Sequence, residues 1–405
     1  MDLLRFATAG NVDDGKSTLI GRLLHDCRAL LDDQLDSLRR ESRERGEEGI
    51  NLAFATDGLR AERAQNITID VAYRYLSTGR RRFILADCPG HLGYLPKLVT
   101  GLSTANLAVV LLDVRHGLVE QTRRHCFLAS LFRIPHLVLC VNKMDLMEFS
   151  QGAFSDVLGQ FESFSDKVAI HDVAIIPMSA KRGDNVVKRS VAMPWYQGPP
   201  LLHHLEEVHI ASDINQVDCR LPVQISLGPR TWAGRLASGH LRVGDQVMLL
   251  PGGVCAAVAG LTVAGRAVAD ARAPLSVAVE LDRDGNLRRG DMLVRVHNRP
   301  DLRDDVDAMV CWFGNEPLVA GRALRLLHGT SQTRATVSRL DYRFDMQTLS
   351  REINPPALSP NDIGRIQLHA DQPLCLDRYQ DNRATGSFVL VDETSNDTVA
   401  ACLVR

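Results

Sequence analysis

The segment Gly10–Ser17, GNVDDGKS, has the spacing GxxxxGK[ST] between an apolar run and a helical pattern, and is called the phosphate loop below. Glycines let such a loop wrap closely around a phosphate chain, with backbone N–H groups at the following helix terminus pointing at it. We expect Lys16 to contact the β- and γ-phosphates during catalysis, and the Ser17 hydroxyl to bind Mg²⁺. The predicted nucleotide-binding residues here are Gly10, Asn11, Val12, Asp13, Asp14, Gly15, Lys16, Ser17 and Thr18.

A second motif, DCPGH, begins at Asp87 after a short apolar run. An aspartate at a strand end can hold Mg²⁺ through water, and Gly90 can donate its N–H to a γ-phosphate. His91 follows at a position where a side chain could orient the attacking water; the alternative is a surface histidine without a role. Between the two motifs, Thr68 of the sequence NITID could close onto Mg²⁺ and the γ-phosphate and release after hydrolysis. The predicted catalytic residues are His91, Thr68 and Lys16, and the predicted metal ligands are Ser17, Thr68 and Asp87.

The sequence Asn142-Lys143-Met144-Asp145 follows another apolar run and predicts the base. The Asp145 carboxylate can accept two hydrogen bonds from the N1–H and the 2-amine of guanine, and adenine lacks that amine. We expect Asn142 to meet the purine edge and the Lys143 stem to cover the ring. A backbone N–H of the segment Ser179-Ala180 could bond guanine O6. The predicted ligands are therefore GTP and GDP, with Mg²⁺.

Short apolar runs alternate with helical patterns over the first two hundred residues. This order predicts a doubly wound, mostly parallel sheet, in which ligands bind beyond the carboxyl ends of the strands. The densely charged segment Arg28–Glu48 favours a solvated helix, with a partner-binding insertion as the alternative. The predicted strands are Leu3–Ala9, Phe83–Ala86, Leu107–Asp113 and Leu137–Val141, and the predicted helices are Ser17–His25 and Gln121–Phe132.

After the turn-rich segment Pro194–Pro200 the pattern changes to short strands separated by Gly, Asp and Asn turns. The predicted fold is thus an α/β P-loop GTPase domain followed by two small β-barrel domains. We place the domains at residues 1–210, 211–300 and 301–405.

Composition excludes few functions. With 45% hydrophobic and 24% charged residues the chain has the balance of a soluble globular protein. Its net charge of −2 gives no sign of a nucleic acid partner, and its apolar runs are too short to span a membrane. Nine scattered cysteines without CxxC spacing indicate reduced, buried thiols, as expected in the cytoplasm.

The DCPGH and xITI motifs resemble those of the translation-factor superfamily of GTPases, as in elongation factor Tu. A closer resemblance, to the GTPase large subunit of bacterial ATP sulfurylase (sulfate adenylyltransferase subunit 1), covers nearly the whole chain. It rests on LLRFATAGNVDDGKSTLIGRLLHD, ITIDVAYRY, QTRRHCFLASL, SAKRGDNV, MPWYQGPPLL and LDRYQDNRATGSFVLVDETSNDTVA.

The resemblance implies site roles and a partner. His91 would position water with Val12 and Ile67 as its apolar gate, and Asp13 would contact a monovalent cation. A small catalytic subunit would convert ATP and sulfate to adenosine 5′-phosphosulfate and pyrophosphate, while this chain hydrolyses GTP to drive that unfavourable step. The expected assembly is a heterodimer or larger.

The chain departs from the family after His91, where it has LGYLPKL in place of the usual Glu-Gln-Tyr and Arg-Asn-Met stretch. Gly93 and Pro96 are expected to weaken any helix there. Asn66 also replaces the usual glycine before Ile67. Two alternatives therefore stay open: a GTP-binding scaffold with reduced turnover, and a translation-type GTPase that carries aminoacyl-tRNA.

Overall fold

The computed structural model describes residues 2–44, 46, 49–55, 70–168, 170, 172–210 and 215–405. Contacts divide the chain into two units, Met1–Ile210 and Ala211–Arg405. The first unit is α/β and the second consists of two β-barrels, which confirms the predicted fold class. The predicted boundary at residues 300 and 301 stays a prediction.

The first unit is built on a six-stranded sheet. Its strands are β1 (Leu3–Gly10), β2 (Ala72–Ser77), β3 (Arg82–Asp87), β4 (Leu107–Asp113), β5 (His136–Asn142) and β6 (Val173–Pro177). Their order is β2-β3-β1-β4-β5-β6, and every neighbouring pair is parallel except β2 with β3. All residues of β4, LAVVLLD, are buried, as expected for a parallel strand covered on both faces.

Helices connect and cover these strands. They are α1 (Lys16–Asp26), α2 (Asp32–Glu44), α3 (Leu95–Ser103), α4 (Glu120–Leu131), α5 (Gln151–Val168) and α6 (Leu201–Glu207). α1 buries Leu19, Ile20, Leu23 and Leu24, whose spacing places them on one helical face. The charged segment forms α2 as predicted, with only Leu38 and Ser42 buried.

The expectation that Gly93 and Pro96 weaken a helix after His91 is wrong from Leu95 onward, because α3 forms there. Pro96 lies in its first turn, where the missing N–H has no intrahelical acceptor to lose. Gly93 lies outside α3, in a preceding 3₁₀ helix. α3 also buries an apolar face made by Leu95, Leu98, Val99 and Leu102.

The first barrel is a curved sheet with the order β7-β16-β11-β12-β15-β9-β8. Only residues 223 and 224 separate β7 from β8, so one short stretch of chain supplies the strands at both ends of this order. The strands of this order are β7 (Arg220–Pro222), β8 (Ile225–Gly228), β9 (Thr231–Arg235), β11 (Gln246–Leu250), β12 (Val254–Val263), β15 (Ser276–Leu281) and β16 (Met292–Arg295). In addition, β13 (Arg266–Val268) pairs with β12, and β10 (His240–Arg242) pairs with β14 (Asp270–Arg272) in a separate two-stranded sheet.

The second barrel has the order β18-β22-β23-β17-β21-β19, and β19 pairs back with β18 to close it. Its core contains Trp312, Val310 and Leu326. The strands are β17 (Asp301–Trp312), β18 (Ala323–His328), β19 (Ser331–Phe344), β20 (Arg351–Ile353), β21 (Ile363–Leu376), β22 (Ser387–Val391) and β23 (Thr398–Val404).

The DRYQDN segment joins the two barrels. Asp377 accepts hydrogen bonds from Arg220 Nε and Nη2, both at 2.9 Å, and the two side chains are 11% and 3% exposed. Asn382 Nδ2 donates to Ser238 Oγ at 2.7 Å. The segment that the sequence singled out for family resemblance is thus a buried polar connection between the barrels.

Candidate nucleotide-binding site

The phosphate loop follows β1 and takes a shape that requires glycine. Gly15 has φ +96°, and a Cβ there would lie 2.5 Å from Asn142 Nδ2. A Cβ on Gly10 would lie 2.9 Å from the carbonyl oxygen of Leu111 on β4. Side chains at these two positions would push apart the loops that surround them.

Lys16 is buried inside this loop. Its Nζ donates to the carbonyls of Gly10 at 2.9 Å and Asn11 at 2.8 Å. Burial lowers the pKa of Lys16, and the carboxylate of Asp87 opposes that shift. The loop therefore surrounds the amino group of Lys16, at the position from which a lysine contacts bound phosphates.

Asn11 and Asp14 shape the loop through their own contacts. The Asp14 carboxylate accepts the Asn11 N–H at 2.6 Å, and Asn11 Oδ1 accepts the Val12 N–H at 2.9 Å. Burial raises the pKa of Asp14. Asp13 is exposed and has a left-handed backbone, with φ +69°.

The N-terminus of α1 offers backbone donors to an anion. No side chain caps this helix, and its first turn contains no acidic residue. Ser17 and Thr18 lie in that turn, and the Ser17 hydroxyl forms no hydrogen bond with another described residue. The helix dipole and the free N–H groups of the first turn suit a phosphate.

The DCPGH segment lies against the phosphate loop. Asp87 ends β3 and is buried, with its Oδ1 3.5 Å from the Thr8 hydroxyl on β1. A Cβ on Gly90 would lie 2.4 Å from the Gly10 carbonyl and 2.5 Å from Lys16 Nζ. Only glycine permits this approach, so the Gly90 backbone is placed beside the cation.

His91 is exposed at the end of this segment. Its Nδ1 accepts the Gly93 N–H at 3.1 Å, and its ring centroid lies 5.9 Å from that of Tyr94. The neutral ring therefore carries its proton on Nε2. Thr68, like Asn66 and Ile67, lies outside the described residues, so its predicted role stays a prediction.

Asn142 links the phosphate loop to the loop that begins at Ser179. Its Nδ2 donates to the Asp14 carbonyl at 2.8 Å, and its Oδ1 accepts the Ala180 N–H at 2.9 Å. Both polar atoms of this buried amide are therefore engaged by protein backbone. The sequence predicted that Asn142 meets the purine edge and that a backbone N–H near Ala180 meets guanine O6; in this structure the two groups bond to each other.

Lys143 and Asp145 follow Asn142 on the same loop. Lys143 has a left-handed backbone with φ 64°, and its Nζ lies 3.0 Å from Asp113 Oδ2. Asp145 is half-buried, and its carboxylate accepts no hydrogen bond from the residues that the structure describes.

Sequence reasoning missed Asp113 and Arg115. Asp113 is buried at the carboxyl end of β4 and accepts hydrogen bonds from Arg115 and Lys143. Burial opposes its ionisation, but those hydrogen bonds outweigh burial and hold the pKa of Asp113 well below its usual range. The available signal was its position, because Asp113 ends a buried strand in the same way as Asp87 and Asn142 do.

Comparisons with known proteins show which families the chain is similar to. The family model of the elongation factor Tu GTP binding domain matches residues 1–218, and that of the GTP-eEF1A C-terminal domain-like family matches residues 305–405. The bifunctional enzyme CysN/CysC of Mycobacterium tuberculosis (strain CDC 1551 / Oshkosh) is 50% identical over 99% of this chain and 67% of its own length. Sulfate adenylyltransferase subunit 1 of Bacteroides fragilis (strain YCH46) is 45% identical over 100% of this chain and 86% of its own.

Among solved structures, the GTPase-like domain of S. cerevisiae Ski7, bound to GTP, has a TM-score of 0.55 at 14% identity. The match covers 100% of this chain and 97% of that chain, and it shows the fold alone. Among the helices that the structure describes, none combines the length and apolar character needed to cross a bilayer.

Proposed function

The chain belongs to the sulfate adenylyltransferase subunit 1 family, whose members have a translation-factor-type GTPase domain, and from that premise we propose that it binds GTP with Mg²⁺ and hydrolyses it. The observation that carries the proposal is the joining of two loops by Asn142. One of these loops surrounds Lys16, and the other begins at Ser179 and contains Ala180. A nucleotide's phosphates and its base need both loops at a fixed separation.

The residues present fit a divalent cation. Ser17 supplies a hydroxyl without a partner among the described residues, and Asp87 supplies a buried carboxylate at a strand end. Oxygen donors of this kind suit Mg²⁺, which would neutralise charge on the phosphates when bound. Thr68 is proposed as a further ligand from its sequence position.

In the proposed hydrolysis, Lys16 and the first turn of α1 bind the phosphates. Gly90 presents its backbone N–H to the γ-phosphate, and His91 orients the water that attacks the γ-phosphorus. The bond to the β–γ bridging oxygen breaks, and the products are GDP and inorganic phosphate. His91 has an exposed ring whose Nδ1 is already bonded to Gly93, which leaves Nε2 for the water.

We further propose that this hydrolysis drives a reaction on a partner, in the cytoplasm. A small catalytic subunit would convert ATP and sulfate to adenosine 5′-phosphosulfate and pyrophosphate, an unfavourable step that GTP hydrolysis offsets. The names of the relatives and the sequence resemblance over both barrels support this assignment.

A second candidate is a GTP-binding scaffold with reduced turnover. The observation that favours it is the segment after His91, where Lys97 of α3 pairs with Asp70 at 3.0 Å. Asp70 directly follows Thr68 and Ile69 in sequence, so this pair connects α3 to the segment that is proposed to close on the γ-phosphate. A contact between those segments would slow their exchange between states.

The test measures GTP hydrolysis by the purified chain, alone and then with its candidate small subunit, ATP and sulfate. A rise in GTP turnover that tracks formation of adenosine 5′-phosphosulfate is expected. A Lys16→Ala variant serves as the control and should abolish the rise. GTP binding without any rise in GTP turnover would support the scaffold with reduced turnover instead. Sulfurylase activity that does not depend on GTP would overturn the proposed coupling.

A further inference from the structure

One buried carboxylate holds two basic side chains beside the proposed base-binding loop. Asp113 is 2% exposed. Arg115 reaches it with Nε at 3.0 Å and Nη2 at 2.6 Å, and the Arg115 backbone N–H also donates to it at 3.0 Å. Lys143 Nζ adds a contact at 3.0 Å. The carboxylate is thus saturated by two cations.

The strand pairing places this group next to Asp145. Asp113 and Asn142 are directly opposite each other on the neighbouring strands β4 and β5. Lys143 follows Asn142, and Asp145 lies in the 3₁₀ helix that begins one residue later. The pKa of Arg115 is raised, first by its hydrogen bonds to Asp113 and more weakly by the charge on Asp145.

The side chain of Arg115 is 43% exposed, and the charges of two carboxylates of different kinds act on it. Asp113 is buried and fully bonded, whereas Asp145 accepts no hydrogen bond from the described residues. A guanidinium presents paired N–H donors to a carboxylate. The N1–H and 2-amine of guanine present a similar pair, so Arg115 and guanine are chemically equivalent partners for Asp145.

We propose that Asp113 is a positioning residue for guanine recognition, because it retains Arg115 and so keeps Asp145 available to the base. This inference rests on the proposed GTP binding and specifies which residue protects its selectivity. Asp113 also fixes Lys143 beside the position proposed for the ring. Without the charge of Asp113, Arg115 is released to pair with Asp145.

The test compares GTP with ITP, whose base lacks only the 2-amine. Dissociation constants for both are measured with the full chain and Mg²⁺, for wild type and Asp113→Asn. Loss of one charge-assisted hydrogen bond corresponds to about tenfold in affinity, so the preference for GTP over ITP should fall by about tenfold. Asp307→Asn, which breaks a similar pair with Arg365 in the second barrel, is the matched control and should leave the preference unchanged.

A double variant separates positioning from a structural role. Asp113→Asn with Arg115→Ala removes the competing guanidinium, so the preference for GTP over ITP should return to near the wild-type value. High salt should also restore the preference in Asp113→Asn alone, because the competing pair would be partly exposed. Thermal melting checks that each variant is folded. If Asp113→Asn does not fold, Asp113→Ser takes its place, and the double variant Asp113→Ser with Arg115→Ala is compared with Asp113→Ser alone.

Three results would overturn the inference. Equal loss of affinity for GTP and ITP that the double variant does not restore would assign Asp113 a purely structural role. An unchanged preference in Asp113→Asn would show that Arg115 does not compete. A wild-type chain that binds neither nucleotide would instead remove the proposed function, and the inference with it.

Discussion

Asn142→Ala removes the side chain that connects the two nucleotide-binding loops. Two buried hydrogen bonds disappear: the one donated to the Asp14 carbonyl at 2.8 Å and the one accepted from the Ala180 N–H at 2.9 Å. Each leaves a buried backbone group unpaired, at about 1–3 kcal/mol per group, so the free energy of unfolding should fall by about 2–6 kcal/mol. In a unit of this size each kcal/mol corresponds to about 2–4 °C, and the melting temperature should fall by roughly 10 °C.

Asn185 offers a matched control in the same unit. It is buried like Asn142, and its side chain also makes two backbone hydrogen bonds, to the Pro177 carbonyl at 2.8 Å and from the Ser190 N–H at 2.8 Å. Asn185→Ala should therefore cost a similar amount of stability. GDP affinity should fall only in Asn142→Ala, because Asn142 joins the phosphate loop to the loop of Ala180 and Asn185 does not.

The assay is scanning calorimetry with and without GDP and Mg²⁺, since the transition that moves to higher temperature with ligand belongs to the nucleotide-binding unit. Titration of a fluorescent GDP analogue gives the dissociation constants. A shift of the melting temperature of less than about 2 °C in Asn142→Ala, below the effect of 1 kcal/mol, would refute the hydrogen-bond argument. Equal loss of GDP affinity in both variants would refute the connecting role.

Three further predictions concern hydrolysis, acid stability and the barrels. His91→Ala should lower kcat for GTP by about 100-fold with GDP affinity unchanged, and a matching loss of affinity would contradict the water-orienting role. Burial lowers the pKa of His125 to about 3 in the folded chain, whereas the unfolded chain has the ordinary pKa of about 6.5. As the pH falls below about 6.5, His125 therefore becomes protonated in the unfolded chain but not in the folded one. Between pH 7 and pH 5 the free energy of unfolding should therefore fall by about 2 kcal/mol more in wild type than in His125→Gln. Urea denaturation at each pH measures this, and the same pH dependence in both proteins would contradict it. Asp377→Asn should cost the barrel unit about 3–5 kcal/mol in urea denaturation, because the buried Arg220 guanidinium loses its counter-charge, whereas exposed Asp305→Asn should cost less than about 1 kcal/mol.

The sequence by itself determined the fold class and the positions of the phosphate and base motifs. Four strands of the first unit were predicted to within one residue at every end; Leu107–Asp113, for example, is β4. The helix after the phosphate loop was equally clear. These features were predictable because they depend on short-range spacing: a run of apolar residues for a parallel strand, and glycines with a lysine before a helix.

The tertiary structure decided what the motif residues contact. Asn142 was predicted to meet a purine, yet it bonds Asp14, 128 positions away in sequence, and Ala180. Asp113 gave only a weak signal, because its role depends on Lys143, which directly follows the neighbouring strand β5. The connecting role of the DRYQDN segment is likewise visible only in the tertiary structure, where Asp377 pairs with Arg220 of the other barrel.

Such partners lie far apart in the chain and meet only when the strands take their order in the sheet or barrel. Local spacing carries no information about that order, and a buried polar group takes whichever partner the packing brings within reach. The sequence therefore identifies which groups can do chemistry, and the tertiary structure assigns each of them a ligand or a neighbour.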